Sequence, residues 1–429
     1  MGGFLTTTVV MLLLLFSGIW VAVALGFAAL FGLSYTFPVD KVVSLLGKVL
    51  WEQNTNFVLV AVPLFIFMGE IMFQCGILGR IYTAASRLVS GIPGGLLQTN
   101  IAACTIFAAC SGSSVASAAT IGSVGYPLIR PRGYNRQLAL GSIAAGGTLG
   151  ILIPPSIILI IYGSLAEVSI GRLFMAGLIP GLVLSSLFGI LLAVWALVQP
   201  SVAPRERSVT LGERLRAAAS LWQVALLALV VLGGIYGGIA SPTEVAALGA
   251  TLAIVFAALY RSLTWKVVYQ AGLNTVRQTS MILFIVISAK LLSMMLIYQS
   301  IPSRMLSMLD TLGASAFAVV IMLCILYLLM GMFFDGVSMM VMTIPFVVPI
   351  MSTLHVDLVW LGIVIVLIIE IGLLTPPVGL NLYVLQGATN EPIRDVIIGS
   401  LPFLGILAVM VLLLFVFPQL ALFLPGALF

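Results

Sequence analysis

The chain has 429 residues, of which 62% are apolar and 7% charged, with a mean hydropathy of +1.26. About a quarter of an average soluble domain is charged, and 18 basic plus 13 acidic side chains cannot clothe this chain in water. The exterior therefore faces lipid, which excludes a soluble enzyme, a nucleic-acid binder and a disordered chain.

The apolar runs are continuous rather than alternating, which predicts an all-α polytopic membrane protein and not a barrel. At about 20 residues per span there is room for roughly 10 to 14 spans. Residues 1–30 lack a basic leader and outlast a signal-peptide core, so they read as one uncleaved span. No Lys or Arg precedes that span, while Lys41 and Lys48 follow it, which predicts a periplasmic N-terminus. The net charge of +5 reflects basic cytoplasmic loops rather than affinity for nucleic acid. Cys75, Cys104, Cys110 and Cys324 lack metal-ligand spacing and read as small apolar packers. The most polar stretch, residues 199–216, carries Arg205, Arg207, Arg214 and Arg216 and predicts a basic cytoplasmic linker over 205–220. A further span follows over about 221–260.

The two flanks of that linker repeat each other. Gly150-Ile-Leu-Ile-Pro154-Pro155 in the first half answers Gly372-Leu-Leu-Thr375-Pro376-Pro377 in the second. The offset in numbering between these two motifs also relates Val115 to Val337, Pro127 to Pro349, Arg172 to Arg394, Gly177 to Gly399 and Pro180 to Pro402. One register shared by so many pairs indicates a duplication, with repeats over 1–204 and 221–429. Arg130, Arg132 and Arg136 follow the first copy of this segment. The matching stretch after Pro349 has only His355 and Asp357, so the copies are expected to face opposite ways across the bilayer.

Two places per repeat depart from a lipid-facing helix. Residues 105–127 and 328–349 are expected to form re-entrant hairpins, with tips at Ser111-Gly112-Ser113-Ser114 and Asp335-Gly336-Val337-Ser338. Residues 140–163 and 360–386 are expected to form helices broken at Pro154-Pro155 and Pro376-Pro377. Backbone left unpaired at membrane depth survives only against protein or a water-filled cavity. Proline frees a carbonyl of the preceding turn, and freed carbonyls can hold Na⁺. We therefore place one Na⁺ site at Ser113, Ser114, Gly147 and Thr148 and a second at Asp335, Gly336, Ser338 and Thr375. Substrate candidates are Ser111, Pro154, Pro155, Lys290, Pro376, Pro377 and Asn381. Taken singly, small residues and proline kinks are as well explained by helix packing; their paired recurrence favours a site. Asp335 stands out alone, because a carboxylate in an apolar run is costly. Lys290 either pairs with a neighbouring helix, as does Glu70, or meets a substrate carboxylate. Glu244 and Glu370 are expected to orient loops by accepting backbone N–H bonds, and Arg172 and Arg394 to anchor helix ends.

These motifs resemble those of the large membrane subunit of tripartite ATP-independent periplasmic (TRAP) transporters. The resemblance rests on Val62–Met72, the Ser111–Gly122 tip, Gly147–Ser156, Ala240–Gly249, Met332–Gly336 and Ile371–Val384. It implies a Na⁺-coupled importer of organic acids in the bacterial inner membrane. It also implies a small four-helix membrane subunit and a periplasmic substrate-binding protein as partners. The expected mechanism is an elevator, in which a transport domain slides against a scaffold. The rival is a stand-alone Na⁺/carboxylate symporter or ion exchanger on the same plan. No enzyme is expected: the GxxxxGK[ST] phosphate loop is absent, and the sole histidine, His355, is far along the chain from the serine-rich tip. Na⁺ is the one metal expected, as a coupling ion, with no cofactor. Dicarboxylates, sugar acids and sialic acid are all compatible with the sequence.

Overall fold

The computed structural model describes residues 2–204, 209–311, 313 and 315–428, so Arg205 and Arg207 lie outside the described residues. The first repeat opens with α1 (Gly2–Phe16) and α2 (Val21–Ser34). These replace the single span expected over 1–30. Gly18 takes φ +79°, and the Ser17 hydroxyl donates to the Leu14 carbonyl at 2.7 Å, which ends α1 and turns the chain back. Helices α3 (Val39–Asn54), α4 (Ala61–Gln74) and α5 (Ile77–Leu88) follow. The first hairpin is α6 (Leu96–Ser111) and α7 (Ser114–Ile129), and the first broken helix is α8 (Arg136–Leu152) and α9 (Ile157–Ala166). The 29-residue α10 (Ile170–Val198) closes the repeat.

The expected linker is half helix. Residues Leu211–Ser220 form α11, whose start is fixed by a reciprocal Thr210–Glu213 capping box. The helix docks along α5, where the Arg214 guanidinium donates to the Ser90 carbonyl.

The second repeat runs α12 (Trp222–Tyr236), α13 (Pro242–Leu259), α14 (Trp265–Tyr298) and α15 (Ile301–Thr311). Its hairpin is α16 (Ala316–Gly331) and α17 (Gly336–Thr353), its broken helix α18 (Leu358–Leu373) and α19 (Leu380–Thr389), followed by α20 (Ile393–Val416) and α21 (Gln419–Leu428). Here too the span expected over 221–260 is two helices. A turn at Gly238, φ +62°, separates them, and a Ser241–Glu244 capping box with Pro242 restarts the second. Among the described residues seven helices are long and apolar enough to cross a membrane, or eight if α11 and α12 count as one bent span. Length alone allows more, but the hairpin arms and half-helices take up much of the apolar sequence.

The second arm of each hairpin and the first half of each broken helix start in the register of the sequence repeat: Ser114 answers Gly336, and Arg136 answers Leu358. The repeats also run in opposite directions. At one end Arg136, at the start of α8, pairs with Glu391 at 3.3 Å, just past the end of α19. It also pairs with Asp395, which accepts from Gln137 Nε2 at 2.9 Å. At the other end the Tyr162 hydroxyl, in α9, donates to the Leu358 carbonyl at 2.6 Å, at the start of α18. The start of each broken helix thus lies against the finish of the other. Arg130 adds a second cation to Glu391 at 3.5 Å. Because the Glu391 side chain is 6% exposed, Arg136→Ala should cost about 1–3 kcal/mol. The melting temperature of the solubilised protein would report this loss, and an unchanged value would mean that the network contributes nothing.

Two groups of helices emerge. In one, α14 packs on α2 and α4, and α13 on α4; in the other, α8 packs on α6, α7 and α20, α19 on α7, and α16 on α18. They meet where α14 touches α17 and α4 touches α6.

Candidate functional site

Each hairpin tip is built by a helix start. Gly112, at φ +61°, ends α6 in the left-handed conformation that a residue with a Cβ rarely adopts. Ser113 then caps α7 by accepting from the Ala116 N–H at 3.4 Å. In the second repeat Asp335 caps α17 by accepting from the Ser338 N–H at 3.1 Å. Caps and capped amides are again in the register of the repeat, so Ser113 and Asp335 do the same backbone work with different charge.

The tips are held against the breaks. The Ile157 N–H, at the start of α9, donates to the Gly112 carbonyl at 3.4 Å, and the Val378 N–H donates to the Met332 carbonyl at 3.3 Å. A Cβ on Gly147 would lie 3.1 Å from the Ser114 carbonyl oxygen, and one on Gly150 would lie 2.7 Å from that of Ser113. Of the residues expected at the first ion site, Ser113, Ser114 and Gly147 lie together. Thr148 is buried on the same helix with its hydroxyl donating to the Ala145 carbonyl at 2.7 Å. In the second repeat the Gly336 backbone packs on Ile369 of α18. The Thr375 hydroxyl donates back to the Ile371 carbonyl at 2.6 Å, and no described hydrogen bond joins it to Asp335. Pro154-Pro155 and Pro376-Pro377 are the breaks themselves, each with a cis peptide bond.

Glu370 is the residue that sequence reasoning undervalues. It is buried near the end of α18 and takes side-chain partners rather than the loop N–H groups expected of it. Asn381 Nδ2 of α19 donates to Glu370 Oε2 at 3.5 Å, the Ser114 hydroxyl of the first hairpin lies near the carboxylate, and Oε1 has no hydrogen-bond partner among the described residues. The carboxylate thereby links the second broken helix to the first tip. The signal available in sequence is its place in an apolar run, the same argument that selects Asp335. Asn381 Oδ1 and Ser338 Oγ are buried without a hydrogen-bond partner among the described residues. Oxygens left bare in this way suit a hard cation, whose ligands are oxygens. Glu244, by contrast, behaves as expected and accepts from the Ser241 N–H at 2.7 Å.

Ser111 and Ser113 open onto a cavity of about 220 Å³ shared with Glu70, Thr120 and Gln278. The Ser111 and Ser117 hydroxyls are 2.8 Å apart. Glu70 accepts from Asn274 Nδ2 at 2.9 Å and Gln278 Nε2 at 3.2 Å, which gives it partners on α14. Lys290 lines a different cavity of about 500 Å³ and pairs with Glu167 at 3.7 Å. Glu167 ends α9 at φ +57°, so the pair joins α14 to the end of the first broken helix. We expect Lys290→Glu to lower uptake and the double exchange Lys290→Glu/Glu167→Lys to restore most of it. Uptake in the exchanged protein no higher than in the single variant would break the link between the two charges.

The chain matches over residues 8–420 the family described as the tripartite ATP-independent periplasmic transporter, DctM component. It is 36% identical over 392 residues to the C4-dicarboxylate TRAP transporter large permease protein DctM of Pseudomonas aeruginosa, covering 91% of each chain. It is 34% identical to the ectoine TRAP transporter large permease protein TeaC of Halomonas elongata, covering 85% of this chain and 86% of that one. With the sialic acid TRAP transporter permease protein SiaT of Haemophilus influenzae it shares 31% identity over 98% of this chain and 68% of the relative. The fold is similar to that in the crystal structure of the Alcanivorax borkumensis YdaH transporter, which has an unusual topology. The TM-score is 0.61 at 16% identity, over 90% of this chain and 88% of that one. These relatives are named as transporters, not enzymes. With its duplicated hairpins and broken helices, the chain belongs to the DctM family, the large permease component of tripartite ATP-independent periplasmic transporters.

Proposed function

We propose that this permease imports an organic acid across the bacterial inner membrane, driven by Na⁺. It receives the substrate from a periplasmic binding protein and works beside a small four-helix membrane subunit. The observation that carries the Na⁺ reading is the repeated pairing of a capped hairpin tip with a broken helix, with the buried oxygens of Ser338 and Asn381 left bare beside it. Ser113, Ser114, Gly147 and Thr148 would serve one ion, and Asp335, Gly336, Ser338 and Thr375 the other. Na⁺ is cargo here, so its binding must be reversible, and carbonyl and hydroxyl ligands with a single carboxylate give an affinity that permits release.

The two helix groups supply parts for an elevator. Helices α6–α9 with α16–α20 would carry substrate and ions, against α2, α4, α13 and α14. The relatives are named for a dicarboxylate, ectoine and sialic acid, so the substrate class proposed is a small carboxylate and not a particular acid.

Purification of the tagged chain from gently solubilised native membranes, with added periplasmic extract, tests this reading. Mass spectrometry is expected to recover a small four-helix membrane protein and a periplasmic binding protein. Recovery of this chain alone, active in Na⁺-driven uptake, would instead establish the stand-alone symporter.

A further inference from the structure

We infer that a basic cavity between α5, α11 and the end of α13 is a binding site for the anionic phosphate headgroup of a membrane phospholipid. The cavity has a volume of about 600 Å³ and is lined by Arg80, Thr83, Arg87, Ser220, Trp222 and Tyr260 among others, with no acidic side chain among the described residues. Neither arginine is in an ion pair among the described residues. Their spacing of two helical turns along α5 puts both on one face of the helix, with Thr83 between them.

The site is built rather than incidental. The Arg80 guanidinium lies 3.8 Å over the Tyr260 ring, which fixes its plane and leaves its edge N–H groups for a planar or tetrahedral oxyanion. Tyr260 is itself held by the buried Gln223 side chain through its hydroxyl. Trp222 stands edge-on to Phe256 at 5.6 Å, so the indole is fixed too. Arg214 ties α11 to α5 from outside the cavity, through the Ser90 carbonyl.

Depth selects the source of the phosphate. The cavity sits where α12 begins and α13 ends, and α11 meets α12 at a bend of 53°. A helix that turns by this angle into a span passes from the plane of the headgroups into the hydrocarbon. Trp and Tyr at such a junction mark the interface. The half-exposed Trp222, which itself lines the cavity, offers apolar surface beside the two arginines. Acyl chains need that surface, whereas a soluble phosphate does not. Basic pockets between helices at this depth recognise anionic headgroups. The inference stands on placement in a bilayer and is independent of Na⁺ coupling.

The test is thermal unfolding of the detergent-solubilised full chain with added phosphatidylglycerol, phosphatidylcholine or millimolar inorganic phosphate. Phosphatidylglycerol is expected to raise the melting temperature, and the other two to leave it in place. Arg80→Gln/Arg87→Gln should lose more than half of that shift. Thr83→Glu should do the same by offering both arginines an internal carboxylate on an exposed helix face, so it decides the matter if the double variant does not fold. A wild-type shift in Thr83→Glu or in the double variant would remove the site. An equal shift with inorganic phosphate, lost in the same variants, would overturn the lipid assignment in favour of a soluble anion.

Discussion

Asp335→Asn is expected to leave the protein folded and to raise the Na⁺ concentration for half-maximal uptake at least about tenfold, equivalent to roughly 1.4 kcal/mol. The substitution separates two roles of one side chain. As a helix cap, Asp335 accepts from the Ser338 N–H at 3.1 Å, and asparagine caps about as well as aspartate. As a cation ligand it supplies the one formal charge in the second expected site, and asparagine has none. Structure should therefore persist while affinity falls. Ser338→Ala removes a buried hydroxyl that has no partner among the described residues, so it should weaken Na⁺ dependence less and leave stability close to that of the parent. Titration of uptake against external Na⁺ for both variants checks this. An unchanged half-saturation in Asp335→Asn would move the second ion site elsewhere.

Gly141→Val should abolish the folded protein. A Cβ at position 141 would lie 1.9 Å from the Gly399 carbonyl oxygen, and a Cβ at position 399 would lie 1.9 Å from that of Gln137. Helices α8 and α20 touch there backbone to backbone, so no flexible side chain can move aside. Overpacking a core typically costs about 1–3 kcal/mol; separating two helices that meet through their backbones must exceed that range. Gly405→Ala on the same α20 is the control, since a Cβ there meets nothing within 4 Å. It should be neutral or stabilise by about 0.5–1 kcal/mol. Size-exclusion profiles of the solubilised variants distinguish the outcomes, and a monodisperse Gly141→Val would mean that the two helices can separate without loss of the fold.

What the sequence disclosed follows from which residues leave backbone groups free. Ser111-Gly112-Ser113-Ser114 and the double prolines can hardly continue a helix, and both have counterparts in one register of the second half, so the hairpins and breaks were legible before any coordinates. Side-chain partnerships across the fold were not. The Glu370 carboxylate meets Ser114 from the other repeat, and nothing local to either residue marks the meeting. The same is true of Lys290 with Glu167, and of Arg136 with Glu391. The two misread spans have a local cause. Gly18 and Gly238 turn the chain inside runs so apolar that hydropathy alone joins the flanking helices into one. The docked α11 also carried a readable sign, the Thr210–Glu213 capping box, masked by the polar composition around it.

On the proposed reading, the hairpin tips and broken helices couple transport to Na⁺. The most direct test of that coupling is uptake by proteoliposomes that contain the chain with its small subunit, supplied with the substrate-loaded binding protein, under imposed ion gradients. Uptake is predicted only when Na⁺ outside exceeds Na⁺ inside, with a steeper than hyperbolic dependence on external Na⁺, as two ion sites require. Equal uptake with K⁺ replacing Na⁺ on both sides would contradict the account.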